Sequence, residues 1–157
     1  MTGMYNHAPE NYVCPFCRLA RQSESDDVAC TVYHDDAITA FIPSHKWPNN
    51  PGHVVIIPND HYENIYDLPL RLATKIHECA RAVAVAMKAA YSCDGISTRQ
   101  HNEPDGGQDV WHYHLHVFPR YKGDLLYTSQ REPMTADERH EYACELRAQW
   151  GDWTSSA

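Results

Sequence analysis

The stretch Val110-Trp111-His112-Tyr113-His114-Leu115-His116-Val117-Phe118 constrains the chain more than any other. It is β-branched and aromatic, alternates in character and is closed by Pro119, so it reads as a β-strand. Successive side chains of a strand point to opposite faces. His112, His114 and His116 therefore share one face, and Trp111, Tyr113, Leu115 and Val117 share the other. A strand rises about 3.3 Å per residue, which sets neighbouring histidines roughly 6.5 to 7 Å apart at Cα. One histidine on a sheet surface needs no explanation. Three on one face carry desolvation and mutual repulsion that a sequence without a functional demand avoids. Two chemistries fit the row: a three-histidine metal site, or a nucleophilic histidine held by its neighbours.

The loop before this strand, Asn102-Glu103-Pro104-Asp105-Gly106-Gly107-Gln108, favours the second. It sets amide side chains and glycines beside the histidines, and exposed backbone N–H groups form a concavity that suits a phosphate better than a bare metal ion. Charge limits the size of the ligand. Asp and Glu number 21 against 13 Lys and Arg, the formal net charge is −8, and no Lys/Arg run occurs. A nucleic-acid footprint needs a basic face, so no nucleic-acid partner is expected, and a phosphate would be held locally without lysine or arginine. No stretch approaches the roughly 20 apolar residues that span a bilayer, so a soluble protein with no membrane partner is expected. Residues 1 to 15 hold no apolar run that would serve as a signal-peptide core, which points to a cytoplasmic location. In that setting the six cysteines read as reduced thiols or metal ligands. Cys14-Pro15-Phe16-Cys17 alone leaves three readings open: a redox pair, a metal half-site, or two small core residues.

At 157 residues the chain is read as one domain, 1–157. Residues 1 to 13 form a loose polar arm, and a turn and loop follow to Asp27. Strands are expected at Cys30 to Tyr33 and Ile38 to Phe41, paired through the turn His34-Asp35-Asp36. The proline-rich segment 43 to 52 is a loop, and it delivers His53 into Val54-Val55-Ile56-Ile57-Pro58, whose unbroken apolar run predicts a strand covered on both faces. Asp67 as N-cap and Pro69 in the first turn open a long helix, with Leu72, Ile76, Cys79, Val83, Met87 and Tyr91 at helical spacing. Ile96 to Gln100 is a strand. Thr135 with Glu138 is a capping box, and Ala143, Leu146 and Trp150 mark the buried stripe of a C-terminal helix.

These residues resemble the histidine triad (HIT) family, in its bacterial zinc-containing branch. The signature is His112-Tyr113-His114-Leu115-His116-Val117-Phe118, with Gly107-Gln108 before it and Pro119-Arg120 after. Cys14-Pro15-Phe16-Cys17, Val32 to Asp36, Ala40-Phe41, Pro51-Gly52-His53, Val55 to Pro58 and His61 follow in the family's order. The resemblance covers residues 12 to 122, with 123 to 157 as a helical extension. It implies an α+β fold with an antiparallel sheet and one long central helix, assembled as a homodimer. It also implies hydrolysis or transfer at the α-phosphate of a small purine nucleotide, cleaving a phosphoramidate or phosphoanhydride through a covalent nucleotidyl-histidine. By the same carry-over His114 is the nucleophile, His116 and His53 flank the phosphate, and Asn102, Gly107 and Gln108 contact it. A structural zinc ion would be held by Cys14, Cys17, His61 and His112, a closed set that leaves no position for water activation.

Two positions depart from the pattern. Pro43 stands where relatives place the aspartate that accepts from the ribose, which leaves Ser44, His45, Asn49 or Asn50 to replace it. Asp109 stands where relatives carry Ser or Thr beside the phosphate. It either faces the substrate or, being odd-numbered, opens the strand on the side away from the histidines. Two alternatives follow: a dinucleoside polyphosphate hydrolase, and a nucleotide-binding regulatory protein with little turnover.

Overall fold

The computed structural model describes residues 3–151. Its centre is a five-stranded antiparallel sheet in the order β1-β2-β4-β6-β5. The strands are β1 (Thr31–His34), β2 (Ile38–Phe41), β4 (Val54–Pro58), β5 (Gly95–Gln100) and β6 (Leu115–Arg120). The β1–β2 hairpin forms as expected, because Asp35 organises its turn. The carboxylate accepts from the backbone N–H groups of Ala37 (2.8 Å) and Ile38 (3.0 Å) and from the Tyr33 hydroxyl (2.7 Å).

The central strand β4 is buried along its whole length, as its unbroken apolar run predicts. Val54 and Ile56 join the large core under helix α3 (Leu70–Tyr91), while Val55 and Ile57 join a smaller core with Leu19, Ala20 and Phe41. Leu72, Ile76, Cys79, Ala80, Val83, Ala86 and Met87 are the buried stripe of α3. Each large side chain there contributes about 1.5–3 kcal/mol of burial, far more than helix propensity does. The C-terminal helix α4 (Ala136–Ala148) starts at the Thr135–Glu138 capping box and adds Ala143 and Leu146 to the same core. Trp150 stacks on Tyr33 at 5.7 Å. Trp153 lies outside the described residues.

Four expectations are corrected. The segment after Cys14 is helical: α1 (Pro15–Ala20) and α2 (Ser25–Ala29) are too short for a readable apolar period, although Pro15 and the Cys14 side chain, which accepts from Cys17 N–H, are helix-start signals. Pro69, not Asp67, caps α3, and Asp67 accepts instead from the backbone N–H of Gly3 at 2.7 Å. The arm is not loose over its described part. The backbone N–H groups of His7 and Ala8 donate to the buried Glu63, and the Trp111 N–H donates to the Tyr12 hydroxyl. Finally, the histidine strand starts at Leu115 rather than Val110. Upstream of it the chain follows a course of its own, with the Tyr113 N–H donating to the Tyr62 carbonyl at 2.6 Å. The proline-rich loop holds one two-residue strand, β3 (His45–Lys46), paired with β7 (Glu132–Pro133).

Gly52 controls where His53 enters β4. Its φ is +81°, and a Cβ there would lie 2.5 Å from Tyr91 Oη and 2.9 Å from the Tyr142 ring. Gly52→Ala is expected to destabilise the protein by roughly 1–3 kcal/mol in urea denaturation, since both the left-handed backbone and the space favour glycine. Unchanged stability would show that the turn relaxes freely.

Candidate active site

The face of the sheet opposite α3 carries the site. On β6, Leu115 and Val117 point into the core below α3, so His116 and Phe118 emerge on the other side. Val54 pairs with Val117, which brings His53, just before β4, over Phe118. The rings stack at 4.8 Å and 14°. His53 and His116 lie 5.7 Å apart, and His114 meets His116 edge to face at 5.1 Å. Phe16 of α1 closes on His114 at 5.2 Å.

His114 is buried, and its Nδ1 sits 2.7 Å from the His112 carbonyl oxygen. A carbonyl only accepts, so Nδ1 carries a proton, and in the neutral ring the lone pair is on Nε2. That Nε2 lies 3.7 Å from Asp109 Oδ1, and Asp109 Oδ2 takes the Arg131 Nη1 donor at 3.0 Å. The His114 imidazole and the Arg131 guanidinium hold the Asp109 carboxyl well below the usual range, against its partial burial. Of the two readings of Asp109, the structure bears out the one facing the substrate side. Alternation of faces does not run through residues 109 to 114 because they are not in the strand.

His53, His114 and His116 line one pocket with Phe16, Phe41 and Trp47. Arg18, Arg131 and Arg139 also line it, Arg18 paired with Glu24 and Asp27 and Arg139 donating to the Ile42 carbonyl and Cys30 Sγ. They come from α1, the residue before β7 and α4, so no basic run announces them. Burial pushes the His53 imidazole down to about 3, helped by Arg99 and Arg131, and burial likewise keeps His116 well below the usual histidine range. The Nδ1 atoms of both rings are enclosed and without a hydrogen-bond partner among the described residues. Buried polar atoms are rarely left so, and both belong to rings that line the pocket.

Asn102, Gly107 and Gln108 are not brought to this pocket. Asn102 Oδ1 accepts from the Ile65 N–H at 2.7 Å, and its Nδ2 donates to Gln100 at 2.8 Å. Gln108 accepts from the Glu103 N–H and donates to the carbonyls of Glu63 and Val110. These amides brace the loop. Ser44 and His45 line the pocket beside Pro43, whereas Asn49 and Asn50 are turned to the Asp124 region, where Asn50 Nδ2 donates to Asp124 Oδ2 at 2.7 Å.

A second cluster lies alongside. Ligand atoms of Cys14, Cys17, His61 and His112 all fall within 4.8 Å of one another. His112 Nδ1 is 3.4 Å from Cys14 Sγ and 3.5 Å from Cys17 Sγ, and His61 Nδ1 is 3.2 Å from Cys17 Sγ. A tetrahedral zinc ion, about 2.3 Å from sulfur and 2.0–2.1 Å from nitrogen, sets S···N edges near 3.5 Å, so the four residues fit it. His112 Nε2 donates to the Pro58 carbonyl at 2.9 Å, which turns the Nδ1 lone pair toward the thiols.

The HIT domain family matches residues 24–123. The chain belongs to that family. It is 34% identical over 119 residues to a Bacillus subtilis protein named protein hit, covering 75% of this chain and 77% of that one. It is 29% identical to a bis(5′-adenosyl)-triphosphatase of Dictyostelium discoideum, over 64% of this chain and 72% of that protein. An adenylylsulfatase of Arabidopsis thaliana is 26% identical over 74% of this chain and 57% of its own length. Among solved structures, a Hit-like protein of Bartonella henselae superposes with a TM-score of 0.74 at 28% identity, covering 91% of this chain and 99% of that one. A zinc-bound histidine triad protein of Mycobacterium smegmatis gives 0.73 at 26% identity, over 92% and 97%. The α+β fold with its antiparallel sheet is the fold of these HIT structures. No helix among the described residues is long and apolar enough to cross a membrane.

Because burial holds its pKa at about 3, His53 is neutral across the physiological range. Imidazole NMR resonances of the ligand-free protein should show one ring that does not titrate between about pH 5 and 8 and that His53→Gln removes. Titration of that ring near the ordinary histidine value would contradict the burial.

Proposed function

We propose that the protein is a nucleotide hydrolase or transferase that attacks the α-phosphate of a small purine nucleotide with His114. The observation that carries this is the orientation of His114: Nδ1 is committed to the His112 carbonyl, and Nε2 is left facing the pocket. Nε2 would form a bond to the α-phosphorus as the bond to the leaving group breaks and the leaving group takes the electron pair. Water then attacks phosphorus, the P–N bond breaks, and Nε2 recovers its pair. Splitting the displacement in two lowers each barrier. His53 and His116, kept neutral by burial and lining the pocket, would each offer a ring N–H to the phosphate oxygens. Relatives named for adenylylsulfate and bis(5′-adenosyl) triphosphate cleavage support an adenosine 5′-phosphate as the transferred part. The triphosphatase name also supports the second reading, a dinucleoside polyphosphate hydrolase. The homodimer and the cytoplasmic location belong to the same proposal through the family.

His114→Ala should lower kcat/KM on an adenosine 5′-phosphoramidate and on a diadenosine polyphosphate by roughly 10³-fold or more. Rapid-quench intact-mass spectrometry of the wild type should show a nucleotidyl adduct that the variant lacks. Wild-type binding of adenosine nucleotides with turnover of neither substrate would favour a regulatory nucleotide-binding protein.

The zinc ion is the second part of the reading, supported by the donor geometry and by the zinc-bound relative. A closed Cys₂His₂ set supplies no catalytic water and instead ties α1 to the catalytic segment. Burial, then the neighbouring Cys14, pushes the Cys17 thiol up to about 12, so binding zinc near neutral pH must release protons. Metal analysis should find one zinc ion per chain. Calorimetric titration of the metal-free protein in buffers of different ionisation enthalpy should register the proton release. Cys14→Ser with Cys17→Ser should abolish binding and lower Tm, and full zinc occupancy in that variant would overturn the assignment.

A further inference from the structure

Arg99 has no task in the chemistry described so far. It pairs with His116 across the β5–β6 ladder, so both side chains leave the same face of the sheet with Cβ atoms about 4.5–5.5 Å apart. Its guanidinium lies 4.9 Å from the ring centres of both Trp47 and Phe118, the two rings that also pack on His53. Those rings hold the cation in place but offer no acceptor to its N–H groups. Nε is enclosed without a partner, and no hydrogen bond or ion pair to the side chain is formed among the described residues. A guanidinium does not lose its proton, so a fixed cation, offset only at a distance by Asp109 among the carboxylates, stands beside the two neutral histidines.

Arg131 approaches the same place from the segment before β7. Its side chain is 52% exposed, and it spends Nη1 on Asp109. The remaining donors of its fork make no hydrogen bond among the described residues. Asp109 is the only carboxylate lining the pocket among the described residues, and it would repel an anion if it stood alone. Arg131 removes that objection. With five donors in a rigid fork it can keep Asp109 on one nitrogen and offer the others to a phosphate.

We infer that Arg99 and Arg131 form a subsite for an anionic leaving group. The pocket would then favour nucleotides whose α-phosphate is joined to a further phosphate over those that release an uncharged amine. The inference rests on the His114 chemistry for the word "leaving", but the subsite itself is a binding property. An amine gains nothing from either guanidinium. A second phosphate, extending from the α-phosphate at His53 and His116 toward β5, meets a preplaced cation and a movable one.

Binding tests it apart from turnover. Calorimetric titration of the zinc-loaded full chain with AMP and with α,β-methylene-ADP, which is not cleaved at the bridge, measures what the second phosphate adds. The wild type should bind α,β-methylene-ADP at least about tenfold more tightly than AMP. Arg99→Gln and Arg131→Gln should each remove most of that increment; AMP affinity stays within about twofold in Arg99→Gln, whereas Arg131→Gln also unmasks Asp109 and weakens AMP itself. Arg99→Lys, which keeps the charge and loses the fork, should retain part of it. Circular dichroism establishes that each variant is folded. If one glutamine variant does not fold, the other and Arg99→Lys still decide.

In turnover, Arg99→Gln should lower kcat/KM for a diadenosine polyphosphate by about tenfold and leave the phosphoramidate nearly unchanged. Equal wild-type binding of AMP and α,β-methylene-ADP overturns the inference, as does an increment that survives in both glutamine variants. A His114 adduct without the increment would sink only the subsite. An increment without an adduct would sink only the covalent chemistry.

Discussion

The hydrogen bond from His114 Nδ1 to the His112 carbonyl joins the two halves of the site. His112 directs its ring at the two cysteines and its carbonyl at the proposed nucleophile, so one residue serves both clusters. Its other ring nitrogen is anchored on the Pro58 carbonyl at the end of β4. A shift of the His112 backbone would therefore disturb three things together: the donor set around Cys14, the tautomer of His114 and the junction with the central strand. Tying the reactive ring to a rigid strand end and a four-residue cluster holds its geometry more closely than a loop residue could manage alone.

The sheet divides the labour between its faces. Below it, Val54, Ile56, Leu115 and Val117 pack on α3 and supply burial. Above it, β6 presents His116 and Phe118, with His53 just ahead of β4, and α1 lays Phe16 against Phe41 and His114. The hydrophobic core thus fixes the floor on which the imidazoles stand. Their low basicity follows from that burial, since water that would solvate an imidazolium is excluded.

Much of this arrangement is legible in the residues. The apolar run of β4, the spacing along α3 and the Thr135–Glu138 box each carry a local physical signal, and each forms at or close to its expected place, whereas of the alternating histidines only His116 lies in a strand. The four members of the metal cluster, named through the family resemblance, do converge. What was not legible depends on tertiary approach. Pro69 overrides the Asp67 cap because Asp67 is drawn to the Gly3 backbone. Asn102 and Gln108 have the right chemistry for a phosphate but satisfy the loop's own backbone groups first. Asp109 was placed on one side by strand parity as one of its two readings, and that argument fails once the strand begins at Leu115. Arg18, Arg99, Arg131 and Arg139 gather from four separate segments, and no local pattern announces such a meeting.

That gathering resolves an apparent conflict between global and local charge. With a net charge of −8, the chain as a whole repels nucleotides at long range. Screening at physiological ionic strength confines that repulsion to about 8 Å, so the field a bound phosphate meets is set by the pocket's own groups. There Asp109 is tied to Arg131, Arg18 is paired with Asp27 and Glu24, and Arg139, bonded to the Ile42 carbonyl and Cys30 Sγ, has no carboxylate partner among the described residues. An acidic exterior disfavours extended polyanions, which must lie along the surface, and so places any attraction for an anion inside the pocket.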